Sequence, residues 1–210
     1  MLVRSLDEVK TQAQAQSIIT EANPSHIVWS AGAGGRGGAE RTFAIDRDAC
    51  IAFIKAAAAT DSVKTFVLVS YVGSRRRKAP WWSEEEWHAT MQTNEGVLKN
   101  YYQAKVAADE CLTAAGRKHG FAGVCLRPGS LSDEPAGGKV SLGKTRARGK
   151  VSRGAVARVI EQLLVEEMGS CWIDLLEGEE TVEEAVRGVV RDGVDCVEGE
   201  DTEGMVKQWS

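Results

Sequence analysis

The chain has 210 residues, a formal net charge of −4 and an ordinary globular composition. That length supports one sizeable core and is too short for two large domains. The mild acidity gives no global attraction to nucleic acid or an anionic membrane, and no run approaches the roughly 18 apolar residues of a membrane span.

Short apolar runs alternate with longer helical patterns. Leu6 to Ala22 reads as an amphipathic helix that Asn23-Pro24 stops. His26 to Ser30 reads as a buried strand, Ala31 to Gly38 as a flexible glycine turn, and Thr42 to Ala59 as a helix. Thr65 to Ser70 is a second strand whose unbroken apolar run suits a sheet covered on both faces. A tryptophan-rich polar loop, Pro80 to Trp87, leads to a long helix ending near Lys118. Ala122 to Arg127 is a third strand, closed by Pro128-Gly129. Val151 to Glu167 is a helix with Ser152 as cap, Cys171 to Leu176 a fourth strand, and Thr181 to Val190 a last helix. Residues 1–190 are therefore expected to form one domain, with 191–210 a loose acidic tail. The alternation implies an α/β fold, a parallel sheet with helices on both faces and ligands beyond the carboxyl ends of the strands.

Within the long helix, Leu98, Tyr101, Lys105, Ala108, Leu112 and Ala115 recur at steps of three and four and share one face. A lysine inside an apolar stripe is costly unless something requires it. One turn from Tyr101, its charge is expected to favour the phenolate and lower the tyrosine pKa, equipping Tyr101 as a general acid or base. A half-buried tyrosine beside a snorkelling lysine is the alternative. From Lys139 to Arg158 there are seven basic residues and no acidic one, which reads either as solvated faces or as the lining of an anion site. The five cysteines are odd in number, lack a CxxC pair and read as reduced residues of a cytoplasmic protein. The histidines show no metal-ligand spacing, so no metal site is expected.

With Trp29 to Gly35, Asp46, Val67 to Ser70, Tyr101-Tyr-Gln-Ala-Lys105, Leu126 to Gly129, Gly138 to Val140, Ser152-Arg153, Asp174 to Leu176 and Gly178 in that order, the chain resembles the short-chain dehydrogenase/reductase superfamily. More narrowly it resembles the atypical NAD(P)-binding branch, close to nucleotide-sugar-epimerase-like and NmrA-like proteins. The resemblance implies a Rossmann-like fold, NAD or NADP as cofactor and hydride transfer at a carbonyl or alcohol carbon of a small-molecule substrate. It implies that Ser70 holds the substrate oxygen, Tyr101 exchanges the proton and Lys105 tunes the tyrosine and grips the nicotinamide ribose. Ala31 and Gly32 would bring backbone close to the cofactor, and Arg127, Pro128 and Gly129 would flank the nicotinamide.

The chain departs from that pattern in one respect. Such proteins open with a strand, a Gly-x-x-Gly-x-x-Gly turn and a helix whose N-terminus holds the pyrophosphate. Here no such segment precedes the strand at His26, and on the order of 60 residues of two βαβ units have no counterpart. An incomplete sheet of about four strands is expected, with His26 to Ser30 as a bare apolar edge. The chain is read as a fragment or a product of a misplaced gene start, with self-association through that edge, or a shortened family member, as alternatives. A non-catalytic dinucleotide sensor and a cofactor-free isomerase or lyase reusing Tyr101 are the competing functions.

Overall fold

Residues 2–34, 37–135 and 137–209 are described by a computed structural model. Gly35, part of the matched glycine turn, lies outside the described residues.

Strands β1 (His26–Trp29), β2 (Thr65–Val69), β3 (Ala122–Pro128) and β7 (Cys171–Glu177) lie side by side and parallel, in the register Val28, Val67, Val124, Cys171. Period-two alternation sorts their side chains onto two faces. Trp29, Phe66, Leu68, Cys125 and Trp172 enter one core, shared with helices α3 (Cys50–Ala58) and α5 (Lys99–His119). Val67, Val124, Leu126, Ile173 and Leu175 enter the other, shared with α6 (Arg153–Val165) and α7 (Val182–Arg191). The doubly covered parallel sheet expected from the sequence is therefore present. Two short strands extend it beyond β7: β5 (Lys139–Gly143) pairs antiparallel with β7, and β8 (Glu180–Thr181) with β5. Beside the main sheet, β4 (Ser130–Ser132) and β6 (Lys150–Ser152) form a parallel pair.

At the other end, among the described residues, β1 has a strand neighbour only in β2 and forms the outer edge. Val28, on the face that α6 covers elsewhere, remains 41% exposed and borders a cavity of about 450 Å³ with Val69, Val156 and Ile160. The edge is apolar where it ought to be covered, as the pattern at His26 implied.

Three local expectations differ. Helix α1 (Gln12–Ala22) starts later than Leu6 because Thr11 and Gln14 build a reciprocal capping box there; it ends at Asn23 in the left-handed region, before Pro24. The stretch after Pro80 is not all loop: Ser83 and Glu86 cap a helix, α4 (Glu84–Glu95), which breaks at Gly96 before α5 begins. The acidic tail is not loose. Residues 202–209 form helix α8 (Thr202–Trp209), which packs on α5 and buries Met205, while Cys196 and Val197 join the core upstream of it. Arg75 holds that segment in place through the carbonyls of Cys196 and Glu198 and an ion pair with Glu200. Among the described residues, no helix is long and apolar enough to cross a membrane.

Candidate active site

Helix α5 carries Tyr101, Lys105 and Asp109 at successive steps of four, so all three project toward the carboxyl end of β2. Lys105 is 1% exposed, and its Nζ donates to the carbonyl of Val69 at 2.7 Å. Ser70, the next residue and 3% exposed, donates its hydroxyl proton to Asp109 Oδ2 at 2.7 Å. The Tyr101 ring leans on Tyr71 with centroids 5.1 Å apart. Tyr71 in turn donates to Asn94 Oδ1, and Asn94 donates to the Gly73 carbonyl, so the loop after Ser70 is pinned to α4. The stripe read from the sequence thus delivers its tyrosine and lysine to one place.

The expected electrostatics of that pair need correction. Burial raises the Tyr101 pKa above its ordinary value; attraction to Lys105 opposes this and is outweighed. Tyr101 is therefore a neutral phenol at physiological pH, and its ready chemistry is to donate a proton. For Lys105, burial pulls the pKa down, but Tyr101, Cys50, Asp109 and Asp46 together leave it above its ordinary value. The ammonium stays charged in the core.

The glycine turn after β1 is held from an unexpected side. Helix α2 (Gly38–Thr42) runs through a wider-wound segment, Phe43–Ala49, into α3, and that segment presents Asp46. Asp46 Oδ2 accepts the Ala33 N–H at 2.9 Å, and a Cβ on Gly32 would stand 2.7 Å from Asp46 Oδ1. Only glycine fits there without moving the carboxylate. The sequence marked Asp46 solely as a matching position; a buried acid thirteen residues after a turn carries no local signature.

Arg127 does not reach either cavity of the site. It is fully buried and donates to Asp174 Oδ1 at 2.8 Å, the Ser74 carbonyl at 2.6 Å and the Val72 carbonyl at 2.7 Å. It also pairs with Asp109 at 3.7 Å and lies 4.4 Å from the Trp172 ring centroid. Its fork is committed to these partners, an arrangement that suits a structural cation. Gly129 serves packing, since a Cβ there would stand 2.5 Å from both the Gly149 carbonyl oxygen and Leu176 Cδ2.

Two cavities meet at this point. The first, about 650 Å³, is walled by Tyr71 to Gly73, Pro128, Gly129 and residues of the 147–153 stretch. The second, about 680 Å³, contains Ala31, Gly32, Asp46 and Lys105. Ser70, Leu98, Tyr101, Leu131 and Arg153 border both. Both volumes lie in the range of about 300–1,000 Å³ common for small-molecule and cofactor sites. Of the residues matched by resemblance, Ala31, Gly32 and Lys105 fall on the second cavity, Pro128 and Gly129 on the first, and Ser70 and Tyr101 between them.

Residues 6–167 match the model of a family described as NAD(P)H-binding. The chain belongs to the NAD(P)H-binding family. An uncharacterised sugar epimerase of Bacillus subtilis is 36% identical over 162 residues, 77% of this chain and 67% of that protein. A UPF0659 protein of Schizosaccharomyces pombe is 27% identical over 195 residues, 91% of this chain and 77% of its own length. Among solved structures, a candidate NAD-dependent epimerase/dehydratase from Bacillus halodurans superposes with a TM-score of 0.67 at 25% identity, covering 89% of this chain and 77% of that one. For this member of the NAD(P)H-binding family, the second cavity fits the nicotinamide–ribose end of a dinucleotide. It combines a buried ammonium, an exposed-backbone turn with Gly34 at φ +61° and open space around it, and a phenol at its rim.

Proposed function

We propose that this chain acts as an NAD(P)H-dependent reductase of a carbonyl carbon, with Tyr101 as proton donor and Ser70 and Lys105 completing the catalytic set. The observation that carries the reading is the meeting of two cavities at Ser70 and Tyr101, with Lys105 buried beneath the second. Bound in the second cavity, a reduced nicotinamide would supply the hydride for such a reduction. Tyr101 gives its phenolic proton to the carbonyl oxygen, and the charge left on the phenolate is met by the Lys105 ammonium. Because burial keeps Tyr101 protonated, the reducing direction is the one for which the site is poised. Ser70, its own proton engaged by Asp109, is left as an acceptor for the hydroxyl of the alcohol product. Lys105 would also hold the ribose hydroxyls, with Ala31 and Gly32 allowing close backbone approach.

Fluorescence titration with NADPH and with NADH tests the cofactor assignment, and a panel of aldehydes and ketones tests the chemistry. Tyr101→Phe is expected to bind dinucleotide as the parent does and to lose about 10²–10⁴-fold in turnover. Failure of the parent chain to bind either dinucleotide rules the reading out.

A further inference from the structure

We infer that the first cavity takes a small organic anion, a carboxylate or phosphate carried on an apolar body, with Arg148 and Arg153 as its charge partners. The inference rests on the reading above that this cavity is the substrate side. Its lining contains two arginines and no acidic residue. Both come from the Lys139–Arg158 stretch, which carries seven basic residues and no acidic one. The fold draws β6 alongside β4 and sets the start of the following helix beside it, so two arginines of this stretch line the cavity while staying open to solvent.

The two guanidinia are anchored differently. Arg148 donates through Nη2 to the Ala89 carbonyl at 2.6 Å and to Thr93 Oγ1 at 3.3 Å, both on α4. Among the described residues no carboxylate lies within ion-pair distance of it. One edge of its fork is fixed to the protein while Nη1 and Nε make no protein hydrogen bond, an orientation suited to a ligand oxygen. Arg153 is the first residue of α6, a place where a cation opposes the helix dipole. Its partner is Asp133, at 2.7 Å and mostly exposed, so solvent and salt weaken that pair. The walls are mixed, with Tyr71, Val72, Leu98, Pro128 and Leu131 as the apolar part beside Thr90, Thr93 and Asn94. Tyr101 lines the same cavity. A ligand that lays an apolar body on these walls and sets its anionic group between Arg148 and Arg153 would direct its far end toward the proton donor.

The test compares 2-naphthoate and 2-naphthyl phosphate with the neutral 2-naphthamide by calorimetric titration of the full chain. At least one anion is expected to bind about tenfold or more tightly than the amide, the size of one good charge-assisted contact. Arg148→Gln, which alters a residue on the first cavity and not the second, is expected to cut that preference to about threefold or less, while Arg148→Lys keeps most of it. Equal binding of anions and amide, binding of none of the three, or a preference unchanged in the Arg148→Gln/Arg153→Gln double variant overturns the inference. NADPH titrated separately distinguishes the two ideas. Anion preference without dinucleotide binding sinks the reductase reading and leaves the anion site standing, whereas dinucleotide binding without anion preference sinks only the anion site.

Discussion

Replacing Arg127 by methionine decides whether this residue is a keystone of the fold or a ligand of the cofactor. Its guanidinium lies 2.8 Å from one buried carboxylate, Asp174, and 3.7 Å from another, Asp109. At an effective dielectric of about 20 these pairs carry gross attractions of about 6 and about 4.5 kcal/mol. The burial of three charges offsets much of that, and removing one partner of a buried pair typically costs about 3–5 kcal/mol. Methionine preserves apolar contact with Trp172 but donates nothing to the carboxylates or to the Val72 and Ser74 carbonyls. The expected loss is about 4 kcal/mol near neutral pH, a large part of a typical folding free energy. It should also depend on pH. Burial already raises the pKa of both aspartates, so each contributes stability that is full below about pH 3.9 and declines as pH rises toward the folded value. Without Arg127 both folded values rise further. The deficit of the variant therefore opens above about pH 4 and is smallest in acid. Urea unfolding of parent and variant at about pH 4.5 and about pH 8 measures it. A deficit under about 1 kcal/mol, or one equal at both pH values, refutes the keystone role. Unchanged stability with lost dinucleotide binding would return Arg127 to the cofactor site.

Three further outcomes are expected. Lys105→Met removes the charge that opposes burial at Tyr101, so the tyrosine pKa moves higher still; ultraviolet titration, differenced against Tyr101→Phe, reads it, and a downward move contradicts the account. Gly32→Ala drives a Cβ to 2.7 Å from Asp46 Oδ1 and displaces the acceptor of the Ala33 N–H. A loss of about 1–3 kcal/mol in thermal unfolding, with weaker dinucleotide binding, is expected, and a neutral result argues that the Asp46 clamp is slack. Truncation before Gly199 removes Glu200 and buried Met205, the latter alone worth about 1.5–3 kcal/mol, so a truncated chain that melts with the parent means that α8 adds nothing.

The sheet and the juxtaposition of Tyr101 and Lys105 were legible because both are written in local periodicity. Phe66, Val67 and Leu68 form an unbroken apolar run, and Tyr101 and Lys105 sit at helical spacing, so no distant partner was needed to read them. The residues that went unread, or were misread, depend on long-range partners. Arg127 is placed beside the nicotinamide by resemblance alone, whereas the partners its fork holds, Asp109 and Asp174, come from other elements and leave no mark near it in the sequence. The direction of the Tyr101 shift was missed because spacing reveals a neighbouring charge but not the depth of burial. The tail seemed loose because Asp and Glu dominate its composition, although Met205 and Trp209 keep a helical spacing of four. α4 could have been found, since Ser83-x-x-Glu86 is a capping-box pattern ahead of it.

The Arg75 clasp on the last core segment also bears on how the site comes into being. Arg75 closes the loop that begins at Ser70 and walls the first cavity, and its acceptors on Cys196 and Glu198 lie 121 and 123 residues downstream. A nascent chain can pair β1, β2 and β3 well before those residues leave the ribosome, but until then the guanidinium has only the nearby Arg77 carbonyl to hold and the wall has no lock. Assembly of the cavity is thus a late, non-local event, of the kind that slows folding because loop closure must precede the contacts that reward it. In this protein the wall of the pocket waits for a lock made more than a hundred residues after it.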